Sequence, residues 1–243
     1  MDLLVDIGNS RLKWGIDVNN CLALGEAISH HDKEFDARLF SVWRSLSKSP
    51  RRLAVSCVAG THVFSRVRET ALELWPSIDI RQCYSESEAH GVRNAYEQPE
   101  KLGVDRWLCL IAARHRWAES VCIVDCGTAI TVDVMDECGR HLGGLICPGL
   151  TLMKESLLSG TAGLVFAAHN GSPHLARNTG SAINNGALYA VIGLIRTVIA
   201  DFDKPFKLVL TGGDADQIAP YLECPSCVVP DLVLKGLSLI LAE

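Results

Sequence analysis

Leu3-Leu4-Val5-Asp6-Ile7-Gly8-Asn9-Ser10 and Cys122-Ile123-Val124-Asp125-Cys126-Gly127-Thr128 state one pattern twice, half the chain apart. Each runs an apolar strand into Asp-x-Gly and on to polar, hydroxyl-bearing residues. Each then continues as a second strand, Leu12-Lys13-Trp14-Gly15-Ile16 and Ala129-Ile130-Thr131-Val132-Asp133-Val134. The pattern spells a strand, a tight turn and a returning strand. A turn glycine lets the backbone come close to a ligand, and turn amides and hydroxyls can donate to phosphate oxygens. The carboxylate at the strand end cannot hold a phosphate; it suits a metal ion or its waters. Two such turns facing each other across a cleft would clamp a nucleotide polyphosphate.

The internal echo divides the 243 residues into two similar halves, expected at 1–117 and 118–243. With 48% apolar residues in many short Val/Leu/Ile runs, a well-buried core is within reach. A formal charge of −5 argues against a general nucleic-acid binder. Lys48-Ser49-Pro50-Arg51-Arg52 reads as a solvated turn. The first strand begins almost at once, with Asp2 and no basic region, so no signal peptide is expected. The longest apolar segment, Ala187 to Phe202, is interrupted by Arg196 and reads as too short to span a bilayer. A soluble, cytoplasmic protein with neither nucleic acid nor membrane as partner is expected. Ten cysteines fit a reduced compartment, since Cys57, Cys109, Cys122 and Cys126 fall in apolar runs as small hydrophobes. Cys224-Pro225-Ser226-Cys227 is a lone CxxC, read as a surface loop and not as a zinc site.

Strands are expected near residues 3–8, 11–18, 21–28, 52–58 and 78–83, with helices near 34–48, 61–75 and 103–117. Residues 85–98 lack periodicity, and long irregular segments are often functional. After the second hairpin, Gly143-Gly144-Leu145-Ile146-Cys147-Pro148-Gly149 leads into a helix near 150–159. A long helix capped by Ser181 or Thr179 runs to about Phe202. A buried strand, 206–210, enters Thr211-Gly212-Gly213-Asp214 and a helix near 214–222; a short strand at 227–229 and a helix starting near Asp231 close the chain. Hairpins followed by strand–helix alternation make an α/β protein with helices on mixed sheets.

Neither G-x-x-x-x-G-K-[ST] nor G-x-G-x-x-G opening a helix occurs. Nucleotide must be gripped by other means, and the paired Asp-x-Gly hairpins, with Thr211-Gly212-Gly213 after a third apolar strand, supply them. These features resemble the acetate/sugar kinase, Hsp70 and actin superfamily, whose duplicated ribonuclease-H-like halves close over ATP. Within it, the chain resembles the type III pantothenate kinases over essentially its whole length. The motifs are Asp6-Ile7-Gly8-Asn9-Ser10 with Lys13, Gly103-Val104-Asp105-Arg106, Asp125-Cys126-Gly127-Thr128, Gly143-Gly144-x-Ile146-x-Pro148-Gly149, Asn178-Thr179-x-x-Ala182-Ile183 and Thr211-Gly212-Gly213. Ser10 stands where that family often has Thr, and keeps the hydroxyl.

The resemblance implies ATP-dependent phosphorylation of pantothenate at its primary hydroxyl, the first committed step toward coenzyme A, with Mg²⁺ and a monovalent cation (K⁺ or NH₄⁺) as cofactors. It makes Asp105 the catalytic base and Arg106 a donor fork for the substrate carboxylate. Gly103, Val104 and Tyr96 complete the substrate side, and Thr179 is implied to reach it from the neighbouring subunit of a homodimer. Asp6 would orient the metal–ATP complex. Ile7, Gly8, Asn9, Ser10, Arg11, Leu12 and Lys13 form the first phosphate hairpin, and Thr128 belongs to the second. Asp125 matches the position that ligates the monovalent cation. Other small-molecule kinases of the superfamily usually run longer and carry different acceptor motifs. A non-catalytic transcriptional accessory role, described for some relatives, would leave a degraded catalytic set; this chain keeps Asp6, Lys13, Asp105, Arg106, Asp125 and Thr128.

Overall fold

A computed structural model describes residues 1–160, 174–202 and 205–242. They form two compact units, Met1–Arg116 with Asp231–Glu243, and Trp117–Pro230.

The first unit opens with the expected hairpin, β1 (Asp2–Ile7) and β2 (Arg11–Val18), followed by β3 (Cys21–Leu24) and the two-residue β4 (Ile28–Ser29). The single strand expected over 21–28 is broken at Gly25, and β4 pairs separately with Arg11 and Leu12 of β2. Then come α1 (Phe35–Arg44), β5 (Arg52–Cys57), α2 (Thr61–Leu74), β6 (Asp79–Gln82), the small hairpin β7 (Glu88–Ala89) and β8 (Val92–Arg93), and α3 (Val104–Arg116). The main sheet runs β3-β2-β1-β5-β6. β1 lies at its centre, antiparallel to β2 and parallel to β5. A central strand covered on both faces needs a continuous apolar run, and Leu3 to Ile7 are all buried. Leu3, Val5 and Ile7 share a core with Phe35, Leu39 and Trp43 of α1 and Val63, Val67 and Ala71 of α2. Leu4 and Asp6 point to the opposite face, because successive strand residues alternate.

The closing helix, α7 (Leu232–Leu241), packs on α3, β1, β2 and β5. It therefore belongs to the first unit, whereas the sequence division at 117/118 groups it with the second half. Its attachment is polar as well as apolar. Arg52 of β5 donates through Nε and Nη2 to Asp2 (3.1 and 2.6 Å) and through Nη1 to the Leu241 carbonyl (2.6 Å). Ser238 donates to the buried carboxylate of Asp17. The hydrogen bond from Arg52 holds the Asp2 carboxyl below its ordinary value of 3.8. A group depressed in this way stabilises the fold fully above that ordinary value and loses its contribution as pH falls through the depressed one. Arg52→Met is expected to cost about 2 kcal/mol at neutral pH, the scale of a charge-assisted pair. Urea unfolding should show the deficit at pH 7 and show it shrinking under acid conditions.

The second unit repeats the plan with β9 (Val121–Cys126), β10 (Ala129–Met135), β11 (His141–Pro148), α4 (Leu150–Gly160), α5 (Thr179–Ala200), β12 (Lys207–Thr211), α6 (Ala215–Ile218) and β13 (Ser226–Val228). Its sheet runs β11-β10-β9-β12-β13, the same order of first, second, third, fourth and fifth main strands as in the first unit. Val124, Ile130, Val132, Leu188, Val191, Ile192, Ile195, Leu208 and Leu210 form its core.

Four local features depart from the pattern expected of the sequence. β11 is a full strand where only a lead-in to a helix was expected; Gly143 and Gly144 hide it, since glycine weakens strand propensity. The α5 cap is Asn178, whose side chain accepts from the Ser181 amide (2.9 Å), and not Ser181 or Thr179. α6 gives way at Ala219 to a 3-10 turn containing Pro220. Finally, α5 has 22 residues and is long and apolar enough by composition to cross a membrane, so the segment is not too short. Leu188, Val191, Ile192 and Ile195 put one side of it in the core of its own unit.

Candidate functional site

In the first hairpin the last strand pair is Ile7 with Leu12, and the Gly8 amide donates to the Arg11 carbonyl (3.1 Å). Gly8 to Arg11 thus form a four-residue loop with Asn9 exposed. Asp6 sits beneath it, in register with Lys13 on β2 and with Ser56 on β5. Register neighbours point to the same face, so Lys13 and Ser56 flank the Asp6 carboxylate. Asp6 is 7% exposed, and the buried Ser56 hydroxyl donates to its Oδ1 at 2.9 Å. A buried carboxylate needs such donors to stay ionised. The sequence reading missed Ser56, because an isolated serine in an apolar strand carries no signal until the parallel pairing is known.

The second cluster of the first unit gathers the substrate motif. Gly103 precedes α3, Asp105 lies in its first turn, and Asp105 Oδ1 accepts the Arg106 amide (2.8 Å). Arg106 is 5% exposed, and its Nη1 donates to the Tyr96 hydroxyl at 2.7 Å. Its guanidinium also lies 5.6 Å from the Tyr96 ring centroid. The irregular segment that delivers Tyr96 is pinned at several points. Ser85 donates to the Leu102 carbonyl (2.8 Å), and Asn94 donates to the carbonyls of Glu86 (3.1 Å) and Pro99 (3.2 Å). The Tyr96 amide in turn donates to Asn94 Oδ1 (3.0 Å). Tyr96, Asp105 and Arg106 are therefore brought together as expected from the motif, on a helix start and a tied loop. Val104, between Gly103 and Asp105, is buried.

The second hairpin is tighter. Its last pair is Cys126 with Ile130, and the Gly127 amide donates to the Ala129 carbonyl (3.1 Å). Thr128 is exposed at the tip. Gly149 packs directly on this turn. Its amide donates to the Thr128 carbonyl (2.9 Å), and a Cβ there would lie 2.2 Å from the Gly127 carbonyl oxygen. Gly212, with φ +89°, closes on the turn's base: a Cβ would lie 2.4 Å from Asp125 Oδ1 and 2.5 Å from the Cys126 carbonyl oxygen. The Thr211-Gly212-Gly213 turn thus has its backbone against Asp125–Cys126, which only glycine permits. Burial pushes up the Cys122 thiol to about 12 and the Cys126 thiol still further, so neither is a nucleophile.

Asp125 Oδ1 and the Cys126 carbonyl oxygen gather around Gly212, one carboxylate and one carbonyl. Both are hard oxygen donors, of the kind alkali and alkaline-earth cations take, and the Cys126 carbonyl also accepts the Asp214 amide (2.9 Å). Among the described residues no group of three or more His, Cys, Asp or Glu side chains could hold a metal ion. Thr179 opens α5, exposed, on the rim of an apolar groove of about 410 Å³ lined by Met153, Leu157, Ala182 and Ile183.

The profile of a family described as type III pantothenate kinase matches residues 2–201. The type III pantothenate kinase of Nitrosococcus oceani is 39% identical, over 98% of this chain and 92% of its own. A solved structure from Campylobacter jejuni, titled a conserved putative Baf family transcriptional activator, superposes with a TM-score of 0.63 at 22% identity, covering 99% of this chain and 97% of that one. A putative 2-dehydro-3-deoxygalactonokinase from Sinorhizobium meliloti gives 0.55 at 13% identity, covering 98% and 97%. The last two matches bear on fold alone, and the fold is that of the actin-like sugar kinases.

Proposed function

We propose how the site works from one premise: the chain belongs to the type III pantothenate kinase family. It transfers the γ-phosphoryl group of ATP to the primary hydroxyl of pantothenate, giving 4'-phosphopantothenate and ADP, the first step toward coenzyme A. The observation that carries this reading is the Tyr96–Arg106–Asp105 cluster. A buried guanidinium oriented by a phenol suits a substrate carboxylate, and a carboxylate at the adjoining helix start suits a substrate hydroxyl.

Asp105 accepts the proton of the attacking hydroxyl as the new P–O bond forms and the bond to the β-phosphate oxygen breaks. Phosphoryl transfer has a loose transition state, so Asp105 mainly orients the nucleophile while positioning and charge neutralisation supply most of the rate. Gly103 and Val104 shape the pantothenate site, and Thr179 would reach it from the neighbouring subunit of a homodimer. The loop from Gly8 to Arg11, with Ile7 and Leu12 at its base, offers donors to the ATP phosphates, Lys13 adds a point charge, and Thr128 offers a hydroxyl from the second turn. Asp6, held by Ser56, is the residue that would hold Mg²⁺ through water; the ion when bound neutralises charge on the β- and γ-phosphates. Asp125 would hold K⁺ or NH₄⁺. A homodimer in the cytoplasm completes the reading. Leu142, Leu145 and Ile146 of β11, Leu152 and Leu157 of α4 and Tyr189 of α5 are exposed large apolar side chains on three successive elements, which favours a second copy as their cover.

The test is direct. Purified protein with ATP, Mg²⁺, pantothenate and K⁺ is expected to form phosphopantothenate, read by mass spectrometry. Absence of product from folded protein overturns the function. Replacing K⁺ by Na⁺ is expected to lower the rate, and equal rates with K⁺, Na⁺ or neither would remove the case for Asp125 as a cation ligand.

A further inference from the structure

Two adjacent histidines, neither of them part of a recognised motif, meet the first phosphate turn. His30 Nε2 lies 2.8 Å from the Gly8 carbonyl oxygen, and His31 Nε2 lies 3.2 Å from the Asn9 carbonyl oxygen. A carbonyl oxygen only accepts, so each Nε2 carries the proton and donates. The two rings stand 4.5 Å apart, which puts both donors on one side of the turn.

Planar trans peptides fix the consequence. The carbonyl of one residue and the amide of the next point in opposite directions. Holding the Gly8 carbonyl aims the Asn9 amide away from His30, and holding the Asn9 carbonyl aims the Ser10 amide away from His31. Two successive amides directed to the same side make a concavity suited to an anion. We propose that His30 and His31 are positioning residues for phosphoryl transfer: they lock the Gly8–Ser10 turn so that its amides meet the ATP phosphates. This rests on the reading of that turn as a phosphate site.

The histidines are themselves held. β4 pairs with Arg11 and Leu12, which sets His30 immediately beyond the strand and beside the turn. His30 is 7% exposed, with its ring edge-on to the buried Phe35 (6.3 Å, 84°). Arg66 of α2 lies over the other ring, 4.7 Å from the Phe35 centroid, and bonds Asp36 at 2.9 and 3.0 Å. The imidazole of His30 is thus seated on α1 and α2, the helices that cover the β1 core. In the second unit the corresponding service falls to backbone, where the Gly149 amide holds the Thr128 carbonyl. The two turns share a sequence pattern but have different holders.

The experiment compares steady-state kinetics of His30→Leu, His30→Gln, His31→Ala and Ser10→Ala with the parent enzyme. Loss of the His30 donor is expected to raise KM for ATP about 10-fold, and loss of the exposed His31 donor about 3-fold, each with KM for pantothenate unchanged. Glutamine, which keeps an N–H near the Nε2 position, is expected to restore ATP KM to within about 3-fold. A purely packing role for His30 would lower the melting temperature without separating the two KM values. If His30→Leu does not fold, His31→Ala and His30→Gln decide: an ATP KM raised by the first and kept by the second supports the lock. If Ser10→Ala raises ATP KM while folded histidine variants leave it unchanged, the lock is wrong and the phosphate reading survives. If no variant, Ser10→Ala included, alters ATP KM, both fall.

Discussion

Asp105→Asn is expected to lower turnover at least ~100-fold, the usual loss when an acid–base group is removed. The substitution suits the purpose because it is nearly isosteric. Asparagine keeps an oxygen that can accept the Arg106 amide, a bond now 2.8 Å long, so the start of α3 should survive. Arg106 and Tyr96, joined through Nη1 and the phenol, would still present the carboxylate site. KM for pantothenate should therefore change little while kcat collapses, the signature of a group used in the transition state. An Asp105→Asn enzyme with undiminished kcat would refute the assigned base.

The second large effect is expected at Gly149→Ala. A Cβ there would lie 2.2 Å from one carbonyl oxygen and 2.6 Å from another, those of Gly127 and Thr128. Both are backbone atoms of the second turn, so no side chain can swing aside to make room. The turn or the start of α4 has to shift by about 1 Å, and displacement of that order can cost 100-fold in catalysis. Overpacking of this kind also costs about 1–3 kcal/mol of stability. We expect kcat/KM for ATP to fall about 100-fold, with a lower urea midpoint. Wild-type kinetics and stability in Gly149→Ala would mean that the turn tolerates displacement and does not grip a phosphate.

Much of this was legible in the sequence for a physical reason. A continuous apolar run marks β1 and β9, because a strand covered on both faces must be apolar throughout, and Asp-x-Gly at its end marks where the chain must turn. Tyr96, Asp105 and Arg106 were found together because the motif holds two of them on one helix start. What escaped depends on pairing between distant strands or segments. Ser56 gains meaning only when β5 lies parallel to β1 and sets its hydroxyl beside Asp6. His30 and His31 gain meaning only when β4 pairs with Arg11 and Leu12, one residue out of the β3 register, which sets them beside the turn. β11 was hidden by its two glycines, and α7 was grouped by its place in the sequence although it packs on α3 and β1.

We propose that the Gly8–Ser10 turn and the Gly127–Thr128 turn each donate to ATP phosphates. Calorimetric titration of ATP and AMP into the parent protein, Ser10→Ala and Thr128→Ala tests it most directly. The account predicts one ATP per chain, bound about 3- to 10-fold more weakly by each variant, the range for losing one hydrogen bond, with AMP affinity changed far less. Equal ATP affinity in the parent and in either folded variant would contradict it.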